Sequence, residues 1–478
     1  MKLSLQLTCL LGVMALQPAI AQRRAAEHFR VGADKIDITP PASALAPGDS
    51  IRDHLYARAI VIDNGQTCSA LVSLDQGNLA TDVVSKGIAE AAKVTHCPAQ
   101  NFIVSATHTH SAGIGILNAQ ILPSREQQSQ AITQAVINAH AKLRPGRIGF
   151  GTTRVYLNVN RDLYDGKWYQ GPNPDGPSDK TLAVVTFIGE DNYPIAYYFN
   201  YAMHPNQFYL SGVISADFPG EAARYIEQRY TNGAVALFTQ SASGDQNPLL
   251  TGPMQKLLGR RTLSAGFDDE RFGATEPWKV GSMMINSNAQ QVEQMKTPVS
   301  TAERAAYEEA IAQNGAWITA EGALLGESAI DVFKNGIHIT QEAGEVWSGQ
   351  QSFTCPGRDR LDQTAREGSL PPYKDGDDVK LTVGLLRLGN VYIASIDGEV
   401  YTDIWMHLKR EAPVAKLMFV ALANGRANSG YIYSDAAASH LTFQVIGSRL
   451  KPGCAETKIV DTLLSLIDKA DAPISGKH

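Results

Sequence analysis

Residues 102–115 read FIVSATHTHSAGIG: an apolar, strand-like run, then a polar turn that carries two histidines in alternation, then small residues that leave room beside them. In extended backbone, alternate side chains share a face, so the spacing predicts that the imidazoles of His108 and His110 point the same way. Imidazole is the commonest protein metal ligand near neutral pH, and a pair so close in sequence pre-orders a site. A plain polar strand end is the competing reading.

Upstream of this stretch, ALVSLDQGNL (70–79) leads into a helical pattern, DVVSKGIAEAAKV (82–94), which returns as the strand before His108. Strand, helix, strand over this length is a βαβ unit, for which a right-handed crossover is expected. Functional groups collect beyond the C-terminal ends of such strands. Asp75 and His108 both stand there, although Asp75 equally suits a turn or a helix N-terminus. The fold class that follows is α/β, with mixed β-sheets covered by helices and a metal site at strand C-terminal ends.

The flanking segments extend the pattern. Val31–Pro41 and Ile51–Gly65 read as strands separated by a Pro-rich loop. Residues 124–142 read as a covering helix with Ile132, Ala135, Val136 and Ala139 on its apolar side. RIGFGTTRVYLNVN (147–160) and TLAVVTFIG (181–189) read as strands joined by a polar, aromatic loop from Arg161 to Asp179. PIAYYFNYAMHPNQF (194–208) delivers His204 at a strand end, in the manner of His108, and AVALFTQSASGDQNP (234–248) breaks into a Gly-Asp turn followed by Gln246 and Asn247. Residues 251–380 are the least regular, with a charged helical segment at 301–313 and a loop carrying Cys355, Arg358 and Arg360. Beyond them two strands flank Gly389-Asn390. Glu399 then stands at a strand-to-helix junction, where it either faces a site or serves the helix macrodipole. Tyr431 and Tyr433 follow on one side of an extended piece, and residues 460–470 close as an amphipathic helix.

The N-terminus carries Lys2, an apolar run from Leu3 to Leu16, and Ala19-Ile20-Ala21 before Gln22. This is the pattern of a secretory signal peptide over residues 1–21, so an exported, secreted or periplasmic protein is expected. No later segment approaches the roughly 20 apolar residues of a membrane span. With Cys9 in the leader, four cysteines remain. If the strands after Cys68 and Cys97 are neighbours in a parallel sheet, their starts lie side by side. A Cys68–Cys97 bridge is then expected, with Cys355–Cys454 by elimination. A net charge of −6 over 478 residues shows no basic stripe and predicts no nucleic-acid partner. Nothing in the sequence specifies an oligomeric state.

Taken in order, VSLDQG (72–77), SATHTHSAG (105–113), NVNRD (158–162), MHPNQF (203–208), TQSASGDQNP (239–248), DGEVYTD (397–403) and the Tyr431 loop resemble the catalytic domain of the neutral, non-lysosomal ceramidases. The resemblance runs from about Val31 to Lys469 and is poor over 251–380. It implies one catalytic domain at 22–478 with a divergent insertion at about 251–380, and one zinc ion held by His108, His204, Glu399 and Tyr431, with Tyr433 as the alternative tyrosine. It further implies His110 as proton carrier and Arg161 as holder of the carbonyl. Asn247, Tyr433 and Phe443 would face the substrate.

Three departures from the family pattern bear on that substrate. Asn247 stands where the family has serine, and Phe443 where it has tyrosine. The chain also stops after its closing helix, without the family's immunoglobulin-like C-terminal domain. The expectation is zinc-dependent hydrolysis of an amide. Its alternative is the same metal site acting on a more polar carbohydrate, ester or small amide, so the partner is a small-molecule, lipid or glycan substrate.

Overall fold

The computed structural model describes residues 28–45, 50–112, 114–115, 120–121, 123–209, 211–251, 301–362 and 367–472. The expected signal peptide lies outside the described residues.

Two mixed sheets are stacked, and strict alternation along their strands decides which side chains fill which layer. The larger sheet contains β1 (Arg30–Asp37), β2 (Tyr56–Asp63), β3 (Cys68–Leu74), β4 (Phe102–Ala106), β5 (Arg144–Arg154), β6 (Thr181–Gly189), β7 (Pro194–Tyr201) and β8 (Val235–Gln240). Their spatial order is β8-β7-β6-β5-β1-β2-β3-β4, with the short strand Thr340–Gln341 added on β5. β3 with β4 and β7 with β8 are parallel, and the other neighbours are antiparallel. The smaller sheet runs β9 (Val346–Arg360), β10 (Tyr373–Leu388), β11 (Val391–Ile396) and β12 (Leu417–Val420), with only the last pair parallel.

Ile60, Ile62, Leu71 and Ile103 from the larger sheet meet Leu386, Val391, Ile393, Met418 and Val420 from the smaller in one apolar layer. Their sequence neighbours point the other way, Ala59, Val61, Val72 and Val104 toward one helical layer and Tyr392, Ala394 and Phe419 toward another. Strands buried on both faces read as continuous apolar runs, which is why these segments were visible in the sequence.

Helices cover both outer faces. α1 (Thr81–Thr95) and α2 (Arg125–Ala141) lie over β1–β4. α3 (Asp217–Gln228) and α4 (Thr301–Asp331) cover β6–β8. α5 (Thr402–Glu411), α6 (Phe443–Gly447) and α7 (Ala455–Asp471) close the side of the smaller sheet. Ser124 and Gln127 form a reciprocal capping box at the start of α2. α1 has no side-chain cap, so packing of Val83, Val84 and Ala91 holds it in place. β3, α1 and β4 are the expected βαβ unit, and Cys68–Cys97 ties its base. The second bridge is Cys355–Cys454.

Three expectations are corrected. Residues 147–160 are not one strand: β5 ends at Arg154, and a second strand, Asn158–Tyr164, belongs to a separate small sheet. The segment 161–179 is not a plain loop, because Trp168–Asn173 pairs antiparallel with Asn158–Tyr164, whose other edge takes Gln246–Pro248. Cys355, Arg358 and Arg360 do not stand in a loop but within strand β9.

Asp75 belongs to the scaffold. Its carboxylate accepts from Tyr56 N and from Arg58 Nη1, each at 2.8 Å, and Arg58 also reaches Glu227 of α3. Arg358, read as a possible anion binder, is likewise occupied. It donates to the carbonyls of Ser448 and Val445 and stacks on Tyr373. A cavity of about 760 Å³ lies between the end of β1 and helices α1 and α2, lined by Ile38, Lys86, Glu126 and Gln130, and holds none of the candidate site residues.

Candidate metal centre

The two histidine-bearing turns follow β4 and β7, and one side chain at the end of β8 draws them together. Gln240, fully buried, donates from Nε2 to Thr107 O at 3.1 Å and to Met203 O at 2.8 Å, each carbonyl one residue ahead of its histidine. His108 is not in extended backbone. Its φ is +70°, fixed by His108 N donating to Gln76 O and by its ring nitrogen Nδ1 on Gly77 O. The shared direction of His108 and His110 therefore comes from a turn, and their Nε2 atoms lie 3.4 Å apart.

Glu399 and Tyr431 arrive on a separate device. Glu399–Val400 pairs in parallel with Tyr431–Ile432, and Glu399 is the register partner of Tyr431. The Arg161 guanidinium lies 5.5 Å from the centre of the Tyr431 ring. That ring lies 6.4 Å from that of His204 and 5.7 Å, edge-on, from that of Phe443. Arg161, 2% exposed, donates from Nε and Nη2 to Gly244 O and from Nη1 to Asn247 Oδ1 at 3.2 Å, with Nη2 3.4 Å from His204 Nε2.

Donor chemistry at the centre of this cluster is unbalanced. His108 Nδ1 is committed to Gly77 O at 2.5 Å, and His204 Nδ1 to Ser243 O at 2.8 Å. Anchoring Nδ1–H on a carbonyl leaves Nε2 of the neutral ring as a lone pair. Those two lone pairs face each other at 3.1 Å. Glu399 Oε2 joins them at 3.3 Å from His108 and 3.7 Å from His204, and it is buried without a hydrogen bond. Arg161 Nη2 reaches only His204 of the three, at 3.4 Å, so the cluster suits a further cation, either a proton on one histidine or a metal ion that displaces it. The residues present thus fit a metal of the zinc type, with nitrogen and oxygen donors.

The ring nitrogens of His108, His110 and His204 all lie within 4.8 Å of one another. Burial, then Arg161, holds the His204 imidazole down at about 3. Burial and the two neighbouring histidines hold His110 well below its ordinary value. Burial opposes ionisation of Glu399, but His108, His204 and Arg426 together keep the carboxyl well below the usual range. Burial pushes the Tyr431 hydroxyl up.

Of the residues singled out in the sequence, His108, His110, Arg161, His204, Asn247, Glu399, Tyr431 and Phe443 come together. Tyr433 does not: the strand ends at Ile432, and the Tyr433 hydroxyl donates to Leu450 O at 2.8 Å outside the cluster. Four residues at the site were missed. Gln240 is one, and Tyr209, edge-on to His110 at 5.2 Å, is another. Asp245, pushed up to about 8 by burial and Asp162, accepts from Thr402 N and Asn160 Nδ2 and so locks α5 to the Arg161 strand. Arg426 lies 3.9 Å from Glu399 Oε1. Only Asp245 carried a sequence signal, as part of the Gly-Asp turn.

The family model for the N-terminal part of neutral/alkaline non-lysosomal ceramidases matches residues 29–310. The chain belongs to that family. Among curated relatives, neutral ceramidase 2 of Arabidopsis thaliana is 24% identical over 233 residues, 43% of this chain and 30% of the relative. Neutral ceramidase of Oryza sativa subsp. japonica is 24% identical over 267 residues, 49% and 33% of the two chains. The matched stretches span about a third of these relatives' length.

Solved structures of a ceramidase complexed with C2 and of neutral ceramidase from Pseudomonas aeruginosa superpose with TM-scores of 0.66 and 0.64. Each is 15% identical and covers 95% of this chain, with 77% and 76% of those chains covered, so the likeness is one of fold. The family match includes His108, His110, Arg161, His204 and Asn247, and ends before Glu399, Tyr431 and Phe443.

Proposed function

We propose that this ceramidase-family protein is an exported hydrolase that cleaves an amide bond with one zinc ion held by His108, His204, Glu399 and Tyr431 beyond the ends of the sheet strands. The observation that carries the reading is the convergence of His108 Nε2, His204 Nε2 and Glu399 Oε2 on one point, with Glu399 Oε2 buried and without a hydrogen-bond donor. The leader at 1–21, the two disulfides and a single catalytic domain at 22–478 complete the proposal. No helix among the described residues is long and apolar enough to cross a membrane.

A bound zinc ion supplies Lewis-acid polarisation of the carbonyl and lowers the pKa of a water toward ~7. The chain's own residues do the rest. Among the described residues no hydrogen bond anchors His110 Nδ1, whereas Nδ1 of His108 and of His204 each rests on a backbone carbonyl. The neutral ring of His110 accepts the proton of the attacking water and delivers it to the amine leaving group. Arg161, held on Gly244 O beside the Tyr431 ring, presents positive charge to the carbonyl oxygen as charge develops there. Phe443 walls the site beside both, 5.4 Å from the Arg161 guanidinium.

A second reading keeps the metal and changes the substrate to a polar ester, carbohydrate or small amide. It is favoured by the carboxamides of Asn206 and Asn247, 3.3 Å apart beside Arg161. Metal content and cleavage of a fluorogenic ceramide, measured on wild type and His108→Ala, separate the two. Stoichiometric zinc, lost in the variant together with ceramide cleavage, is the expected result. Zinc without ceramide cleavage moves the activity to the second reading, and protein that binds no zinc overturns both.

A further inference from the structure

Arg426 is delivered to the edge of the metal centre by a segment pinned on both sides. Asn424 accepts from Val104 N at 2.8 Å and donates to Phe102 O at 3.0 Å, and its own N–H reaches Val104 O, which fastens the turn to the edge of β4. Gly425 follows at φ +120°, where a Cβ would sit 2.6 Å from Thr81 Oγ1, so only glycine lets the chain press against α1 there. Arg426 N then donates to that same hydroxyl at 3.2 Å. This backbone is fixed, and the side chain it carries is not. Arg426 is 47% exposed, and among the described residues its guanidinium has one polar partner, Glu399 Oε1 at 3.9 Å.

The two arginines of the site therefore differ. Arg161 is buried, with its donors on Gly244 O, Asn247 Oδ1 and His204 Nε2. Arg426 has donors to spare and stands on the solvent side of a candidate metal ligand. Counting the groups that face the cluster, with the histidines and Tyr431 neutral, Arg161 and Arg426 outweigh Glu399 by one positive charge before any metal is added. A divalent ion held by Glu399 would raise that excess. Asp162, next to Arg161, is taken up by His440 at 3.0 Å. In a chain of net charge −6, this is a local positive site.

We propose that Arg426 recognises a carboxylate on the substrate, and that the preferred substrate is an N-acyl amino acid. The inference rests on the amide-hydrolase reading above and names its substrate class. The carboxylate of such a compound lies two bonds from the scissile nitrogen, within the short span that separates Arg426 from the ligand carboxylate. Hydrolysis breaks the C–N bond and joins the water oxygen to the acyl carbon. Both protons of the water pass to nitrogen, giving a fatty carboxylate and a free amino acid with its amine as ammonium.

The test compares N-lauroylglycine with N-lauroylethanolamine, which share an acyl chain and differ in the carboxylate, on zinc-loaded wild type, Arg426→Gln and Arg426→Lys. Wild type is expected to favour the acid by about tenfold or more in kcat/KM, chiefly through KM, the scale of one charge-assisted contact. Arg426→Gln loses that preference and Arg426→Lys recovers part of it. Equal use of both amides by wild type overturns the inference and leaves the hydrolase reading standing. So does a Gln variant that loses kcat equally on both with KM unchanged, since that marks mere support of Glu399. If neither amide is cleaved, calorimetric titration of both compounds decides. Arg426-dependent binding of the acid alone keeps the recognition site while removing the hydrolase reading, and equal or absent binding overturns the recognition site as well.

Discussion

Glu399 and Tyr431 are register partners in a parallel ladder only two residues long, so one backbone pairing sets the separation of a carboxylate and a phenol at the metal centre. The ladder is braced from behind by Gly244, whose N–H donates to Val400 O at 2.8 Å while its own carbonyl holds Arg161. Charge, register and the Arg161 anchor therefore meet at one glycine.

Gly244→Ala tests this bracing. A Cβ there would fall 2.9 Å from the carbonyl carbon and oxygen of Val400, backbone atoms that cannot swing aside. The ladder must shift, and with it both Glu399 and the acceptor of Arg161. Zinc affinity, measured by competition with a chromogenic chelator, is expected to fall about 10- to 100-fold, the usual scale for losing support behind a metal ligand. Wild-type affinity in the variant would show that the ligands are held independently of this contact.

Gln240→Glu asks whether one side chain gathers the two histidine turns. The substitution keeps the shape but turns the donor toward Thr107 O and Met203 O into an acceptor. Two buried carbonyls then lose their partner, at about 1–3 kcal/mol each. Urea denaturation should show a loss of about 2–6 kcal/mol on that basis, and zinc titration a weaker site, because His108 and His204 part. Unchanged zinc affinity in a destabilised variant would assign Gln240 to the core alone.

Which parts of this were legible in the sequence follows from what each residue depends on. β3, α1 and β4 were readable because strands buried on both faces leave uninterrupted apolar runs, and the helix between them keeps its period. His108, His204 and Glu399 were readable because each stands just past such a run. β9 was not, since a sheet-edge strand with two of its 15 residues buried (VWSGQQSFTCPGRDR) carries no apolar run to see. Trp168–Asn173 was hidden for the same reason, with Gly171 and Pro172 inside it. The positive φ of His108 and the roles of Gln240 and Arg426 arise from contacts between segments far apart in sequence. Tyr431 and Tyr433 looked equivalent as an extended pair, and only the end of the ladder at Ile432 separates them.

Asp75→Asn separates scaffold from site. Asp75 follows β3 as His108 follows β4, yet its carboxylate is spent on Arg58 and on Tyr56 N. Removing one member of a buried ion pair costs about 3–5 kcal/mol where the other is left unpaired, and because Arg58 keeps Glu227 at 3.3 Å the expected loss is about 3 kcal/mol. The midpoint of thermal or urea unfolding should fall accordingly, while zinc stoichiometry stays at that of the wild type. Loss of zinc without loss of stability would place Asp75 in the site instead.

Glu321 in α4 gives the fold a pH dependence of defined sign. It is fully buried, and it accepts only long hydrogen bonds, 3.3 and 3.4 Å, from Gln207 Nε2. Burial, then the carboxyl of Asp217, pushes it up to about 9, and burial pushes Asp217 itself up to about 7. The folded value lies above the unfolded glutamate value of about 4.3, so the folded protein keeps a proton that the unfolded chain releases. This contribution is complete below about pH 4 and is lost as pH rises toward 9. Glu321→Gln keeps the shape of the protonated acid and removes the ionisation. At pH 9 the variant is expected to exceed the wild type in urea stability by about 2–4 kcal/mol, and at pH 5 to differ by about 1 kcal/mol or less. A wild type whose stability is flat from pH 6 to 9, matched by the variant throughout, would mean that Glu321 is ionised and compensated in the folded state.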